Sequence, residues 1–179
     1  MSKTALLIID MINDFNFDEG EALAKNTRKI IDPILTLKKN FNEQDMPVIY
    51  INDHYNLWQA DFEKIMEYCS NEKSEAIIKK IAPEKNQDYF LIKPKHSAFY
   101  GTALHTLLQQ LKVDTLILSG VAGNICVLFT ANDAYMREYN LIIPEDCIAS
   151  NNDQDNHYAL TMMKNVLTAE TAPSTQLDL

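Results

Sequence analysis

DTLILSGVAGNICVLFTANDAY, residues 114–135, changes its pattern halfway along. Thr115 to Leu118 is a short aliphatic run of the kind that forms a strand buried on both faces. Asn124 to Glu138 reads as a long helix. Between them, Gly120-Val-Ala-Gly123 holds two of the chain's four glycines. Glycine permits the tight backbone that a strand-to-helix turn demands. Strand, turn and helix in this order make half of a parallel βαβ unit.

The alternation continues outward. Toward the N-terminus, Thr102 to Leu111 reads as a helix, and Tyr89 to Ile92, Pro47 to Asn52 and Thr4 to Ile9 read as strands. Glu21 to Glu43 places Leu23, Thr27, Ile30, Ile34, Leu37 and Phe41 on one helical stripe, and Pro33 within it predicts a kink or a break. Residues 53–88 are the least clearly patterned. A loop at Tyr55 to Gln59 precedes short helices at Ala60 to Cys69 and Ser74 to Ile81. Toward the C-terminus, Leu141 to Ile143 reads as a strand and Asp155 to Thr168 as a helix. The expectation is one α/β domain over residues 1–179. It is a three-layer, Rossmann-like α/β/α arrangement with a central, mostly parallel sheet.

A chain of 179 residues buries about two-thirds of its unfolded surface and needs no disulfide or metal to fold. Sixteen Lys and Arg against 25 Asp and Glu leave a net charge of −9. That balance argues against a nucleic-acid or anionic-membrane partner, since phosphate binding needs a basic footprint. No run approaches the ~20 apolar residues of a membrane span. The apolar run Ala5 to Ile9 ends in Asp10 rather than in a small-residue cleavage site, so it reads as a core strand and not as a signal peptide. Cys69, Cys126 and Cys147 show no CxxC or Cys/His spacing, which fits free thiols in a reducing, cytoplasmic setting.

Open α/β sheets bind ligands at the carboxyl ends of their strands. Three reactive side chains fall there. Asp10 ends the first strand, Lys93 follows YFLI, and Cys126 follows LILSGVAGNI. Taken singly, each has a plain structural reading: Asp10 as a turn or cap residue, Lys93 as a solvated lysine, Cys126 between Ile125 and Val127 as a core residue. Taken together they are a carboxylate, an amine and a thiol on one sheet edge. Cys126 would lie in the first turn of its helix, where unpaired N–H groups and the dipole favour thiolate and can hold an oxyanion. A free thiol has a pKa of roughly 8.5 and needs such activation. On this reading Cys126 alkylates ahead of Cys69 and Cys147, and Asp10→Asn slows it.

At these residues the chain resembles the isochorismatase-like cysteine hydrolases, which include nicotinamidases and N-carbamoylsarcosine amidase. The likeness spans nearly the whole chain and rests on ALLIIDMINDF (5–15), VIYIND (48–53), IKPKHSAFYGTAL (92–104), the stretch 114–135, and IIPEDCIAS (142–150). The resemblance implies an Asp10–Lys93–Cys126 triad, with Lys93 four residues before Ser97. It also implies a non-proline cis peptide between Val121 and Ala122, oxyanion donors at the backbone N–H groups of Ala122 and Cys126, and a pocket residue at Phe15. Trp58 is the further pocket candidate, with a packing aromatic as its alternative reading. The implied reaction is cleavage of a small-molecule amide through a thioester, and the implied assembly is a dimer or tetramer. Relatives that hydrolyse isochorismate, a vinyl ether, lack the cysteine.

One departure matters. Nicotinamidases of this family hold a metal through an Asp-x-His pair and a further His, whereas Asp53 and His54 are adjacent here and the next histidine is His96. No metal or other cofactor is therefore expected. His54 reads as a surface or pocket-rim residue, His96 as a loop residue within reach of substrate, and His105 and His157 as surface residues. Asp18-Glu19 and Glu145-Asp146 read as solvated turns or caps. Two further readings stay open: a catalytically silent binding protein of this fold, and a metal-dependent nicotinamidase.

Overall fold

A computed structural model describes residues 3–177 of the chain. Five strands, β1 (Thr4–Ile9), β2 (Val48–Asp53), β3 (Tyr89–Lys93), β4 (Thr115–Val121) and β5 (Asn140–Ile142), lie in the order β3-β2-β1-β4-β5. A sixth, β6 (Ile148–Ala149), pairs with the far end of β4, and every ladder is parallel. The helices are α1 (Gly20–Glu43), α2 (Phe62–Cys69), α3 (Glu75–Ile81), α4 (Leu104–Leu111), α5 (Leu128–Tyr135) and α6 (Asp153–Val166). A π-helical turn at Gly123–Val127 leads into α5.

Side-chain alternation along the central strands divides the core in two. Leu6 and Ile8 of β1, Val48 and Tyr50 of β2, and Ile117 of β4 pack under α1 and α3. Ala5, Leu7, Ile9, Ile49, Ile51, Leu116 and Leu118 pack on the opposite face with residues of α4, α5 and α6. This is the expected three-layer arrangement. A smaller cluster of Ile12, Ile65, Cys69 and Ile78 seats α2 beside the sheet.

Three local expectations change. Pro33 does not break α1, which runs unbroken for 24 residues. Its apolar stripe, including Ile30, Ile34, Leu37 and Phe41, is buried, and that packing outweighs the missing N–H. The residues after Gly123 begin as a π-helical turn rather than as regular helix. Asp146 is no solvated cap: it accepts from the Ser174 N–H at 2.8 Å and the Ser174 hydroxyl at 2.6 Å, fastening the C-terminal segment.

Candidate active site

Asp10 leaves β1 with φ 50°, a conformation that tips it off the strand line. Asn52 holds the chain just beyond it, donating to the Ile12 carbonyl at 2.8 Å and accepting from the Ile12 N–H at 3.2 Å. The Asp53 N–H donates to Asp10 Oδ1 at 2.8 Å. The other carboxylate oxygen faces Lys93 Nζ at 2.8 Å, with the two side chains 9% and 2% exposed. Lys93 also donates to the Lys95 carbonyl at 3.0 Å and to Cys126 Sγ at 3.6 Å. The acid, the amine and the thiol meet in one crevice.

The cysteine turn is shaped by two glycines and a serine. Gly120 pairs with Ile9 in the β1–β4 ladder, at φ +110°, and a Cβ there would drive into the Ile9 backbone. Only glycine lets β4 end this close to Asp10. The Val121–Ala122 peptide is cis. The Ala122 carbonyl accepts the N–H groups of Ile125 and Val127, which curls the chain around Cys126. A Cβ on Gly123 would meet Asn156 and Ser150. Ser150, just past β6, accepts the Asn124 N–H at 3.1 Å and donates to Asn156 at 2.8 Å. The lysine loop is fastened too: Ser97 donates to Asp133, and Thr130 accepts the Ala98 N–H at 2.9 Å.

Electrostatics set the resting protonation. Burial pushes the Cys126 thiol up, the Asp10 charge and a hydrogen bond to it push further, and Lys93 only partly opposes them. Burial and the Asp10 charge thus oppose the thiolate that the helix end alone favours. Burial pulls the Lys93 ammonium down, but Asp10, Cys126 and Asp53 together hold it above its ordinary value. Cys69 is also driven up, to about 12, chiefly by burial. Cys147 rises for the same first reason.

An open cleft of about 530 Å³ leads to this cluster. Phe17, Tyr55, Ile125 and His96 contribute to its walls. Phe15 does not line it. It is fully buried in the core under α1, and Phe17, two residues on, takes the place at the mouth. Trp58 does not line it either, being 65% exposed and stacked on His54 at 4.0 Å. His96 is exposed, with Nδ1 3.9 Å from Cys126 Sγ and its ring tilted against Phe129. Asn13, Asp14, Asp18 and Asn151 also border the cleft, and sequence periodicity offers no signal for residues in such loops.

The site does not fit the metal of the nicotinamidase pattern. Asp53 accepts the Tyr55 N–H, and His54 accepts the Asn56 N–H while stacking on Trp58. Among the described residues no three His, Cys, Asp or Glu side chains gather as a metal site would require. No helix among them is long and apolar enough to cross a membrane.

Comparison with known proteins agrees with this architecture. The model of the isochorismatase domain matches residues 4–174. An uncharacterized isochorismatase family protein, YaaI of Bacillus subtilis, is 64% identical over 179 residues, covering 99% of this chain and 98% of its own. The crystal structure of N-carbamoylsarcosine amidase from Thermoplasma acidophilum superimposes with a TM-score of 0.75 at 28% identity, covering 99% of both chains. The nicotinamidase PncA from Bacillus subtilis superimposes with a TM-score of 0.72 at 30% identity, over 95% of this chain and 99% of that one.

Proposed function

The chain belongs to the isochorismatase family of hydrolases, and from that premise we propose that it is a cysteine amidohydrolase opening a C–N bond of a small molecule. The observation that carries this reading is the Lys93 ammonium standing 2.8 Å from Asp10 and 3.6 Å from Cys126. Asp10 takes the thiol proton as Sγ attacks the amide carbonyl carbon. The backbone N–H groups of Ala122 and Cys126 receive the oxyanion. The tetrahedral intermediate collapses, the C–N bond breaks, and Asp10 hands its proton to the departing ammonia or amine. A water molecule then attacks the thioester, with Asp10 as base, and releases the acid and the thiol. Throughout, Lys93 compensates the charge that passes between carboxylate and sulfur.

A thiol whose ionisation is opposed by burial suits this cycle, because proton transfer to Asp10 is coupled to attack. The second reading is a binding protein without turnover: a thiol whose ionisation burial opposes stays inert wherever Asp10 does not take its proton. Ammonia release across nicotinamide, carbamoyl amines and other small amides separates the two, together with the mass of an acyl adduct on Cys126. Release with an adduct on Cys126 supports the hydrolase. Ligand-induced stabilisation without ammonia or adduct overturns it. We also propose that the chain works as a homo-oligomer in a reducing cytoplasm. The three cysteines are free, and light scattering reads the assembly directly.

A further inference from the structure

Resting on the amidohydrolase reading of this cleft, we propose that its substrates are amides with a cationic tail, and that amides with a carboxylate tail are turned away. The nucleophile defines the site, and the charges around it select what reaches it. Four carboxylates line the cleft, those of Asp10, Asp14, Asp18 and Asp53, against the single ammonium of Lys93. That ammonium is spent on Asp10, the Lys95 carbonyl and Cys126. Among the described residues no arginine lines the cleft, and His96 is the one other lining group able to carry positive charge. A substrate carboxylate would find no lysine or arginine left to receive it, only the His96 ring, among four carboxylates.

The opposite charge is well provided for. Asp14 and Asp18 border the cleft beside Phe17, which is half exposed. An aromatic face next to carboxylates suits an ammonium or guanidinium group, through cation–π attraction and charge pairing. Cleft walls concentrate that field, and the chain's net charge of −9 adds to it at longer range.

The test uses three amides of matched length: aminohexanamide, hexanamide and adipamic acid, which are cationic, neutral and anionic. Two readouts are taken at low ionic strength. One is kcat/KM by ammonia release, and the other is affinity for Cys126→Ser by calorimetry. We expect the cationic amide to exceed the anionic one by ~10-fold or more in affinity, with hexanamide between, and the ratio to shrink with added salt. In Asp14→Asn/Asp18→Asn the ratio falls several-fold. Equal or tighter binding of adipamic acid, or an unchanged ratio in the double variant, would overturn the proposal. Because binding is read without turnover, failure to cleave any of the three counts against the amidohydrolase reading and leaves the charge order decided.

Discussion

Lys93 Nζ and Asp10 Oδ2 lie 2.8 Å apart in a crevice that leaves their side chains only 2% and 9% exposed. A pair this dry is strongly coupled, and removing one partner strands the other's charge. Lys93→Met is expected to abolish turnover and to cost about 3–5 kcal/mol of stability. Urea denaturation and ammonia release check the two effects. A variant that kept full activity would remove the ammonium from the mechanism.

The same pair sets a pH dependence. The Lys93 ammonium is held above its ordinary value of 10.5, with burial opposing and Asp10 leading the groups that raise it. Its stabilising contribution is therefore complete below the unfolded-chain value and fades as pH climbs through the folded one. Wild-type stability should decline in that alkaline window, and Lys93→Met should lose that part of the decline. Denaturant midpoints collected across alkaline pH make the comparison.

Cys126 gives a sharper test, because two opposite outcomes separate two roles for Asp10. If the thiol were a resting thiolate kept so by Asp10, Asp10→Asn would slow alkylation. Asp10 instead raises the thiol, second only to burial. Asp10→Asn should therefore speed iodoacetamide labelling of Cys126 several-fold near neutral pH, while turnover falls ~10²–10⁴-fold with the loss of the base. Labelling should still favour Cys126 over the fully buried Cys69 and Cys147, on access alone. Peptide mass spectrometry with timed quenching reads all three sites. Slower labelling in the variant would restore the thiolate picture.

The convergence of Asp10, Lys93 and Cys126 was legible in the sequence because each lies at or just beyond the end of a strand whose pattern is clear, and parallel strands put their carboxyl ends on one edge. The details at that edge obey no periodicity. Strand β4 extends to Val121, past a reading that stops at Leu118, because Ser119 and Gly120 look like loop although both pair with β1. Strand β6 has two residues and follows a turn at Pro144 to Cys147, too short to show a pattern. It nevertheless leads into Ser150, which holds the cysteine turn. The fastening of Ser97 to Asp133 joins residues 36 apart, a pairing that local reading does not reach.

That fastening has a measurable consequence. Ser97 bridges the lysine loop to α5, the helix that continues from the cysteine turn, so it fixes Lys93 relative to Cys126. Ser97→Ala should cost about 1–3 kcal/mol and leave Asp133 without this donor. The effect should fall on kcat rather than on KM, since the loop positions the ammonium and Ser97 is absent from the cleft wall. Steady-state kinetics with one amide would show it. A change confined to KM would place Ser97 at the substrate instead.

The two aromatic positions Phe17 and Trp58 separate packing from recognition. Phe17 is half exposed at the cleft mouth, whereas Trp58 stacks on His54 outside the cleft. Phe17→Ala removes apolar surface that a substrate tail would cover, so KM should rise, by ~10-fold if about 1.5 kcal/mol of burial is lost. Trp58→Ala should shift kcat/KM by less than ~2-fold and stability by about 0.5–1.5 kcal/mol, the worth of its stacking. The contrast matters more than either number. Both are exposed aromatics on loops near the sheet's carboxyl edge, so a nonspecific hydrophobic contribution would move them together. A large KM effect at Trp58 would mean that the cleft closes over residues 54–58 when substrate arrives.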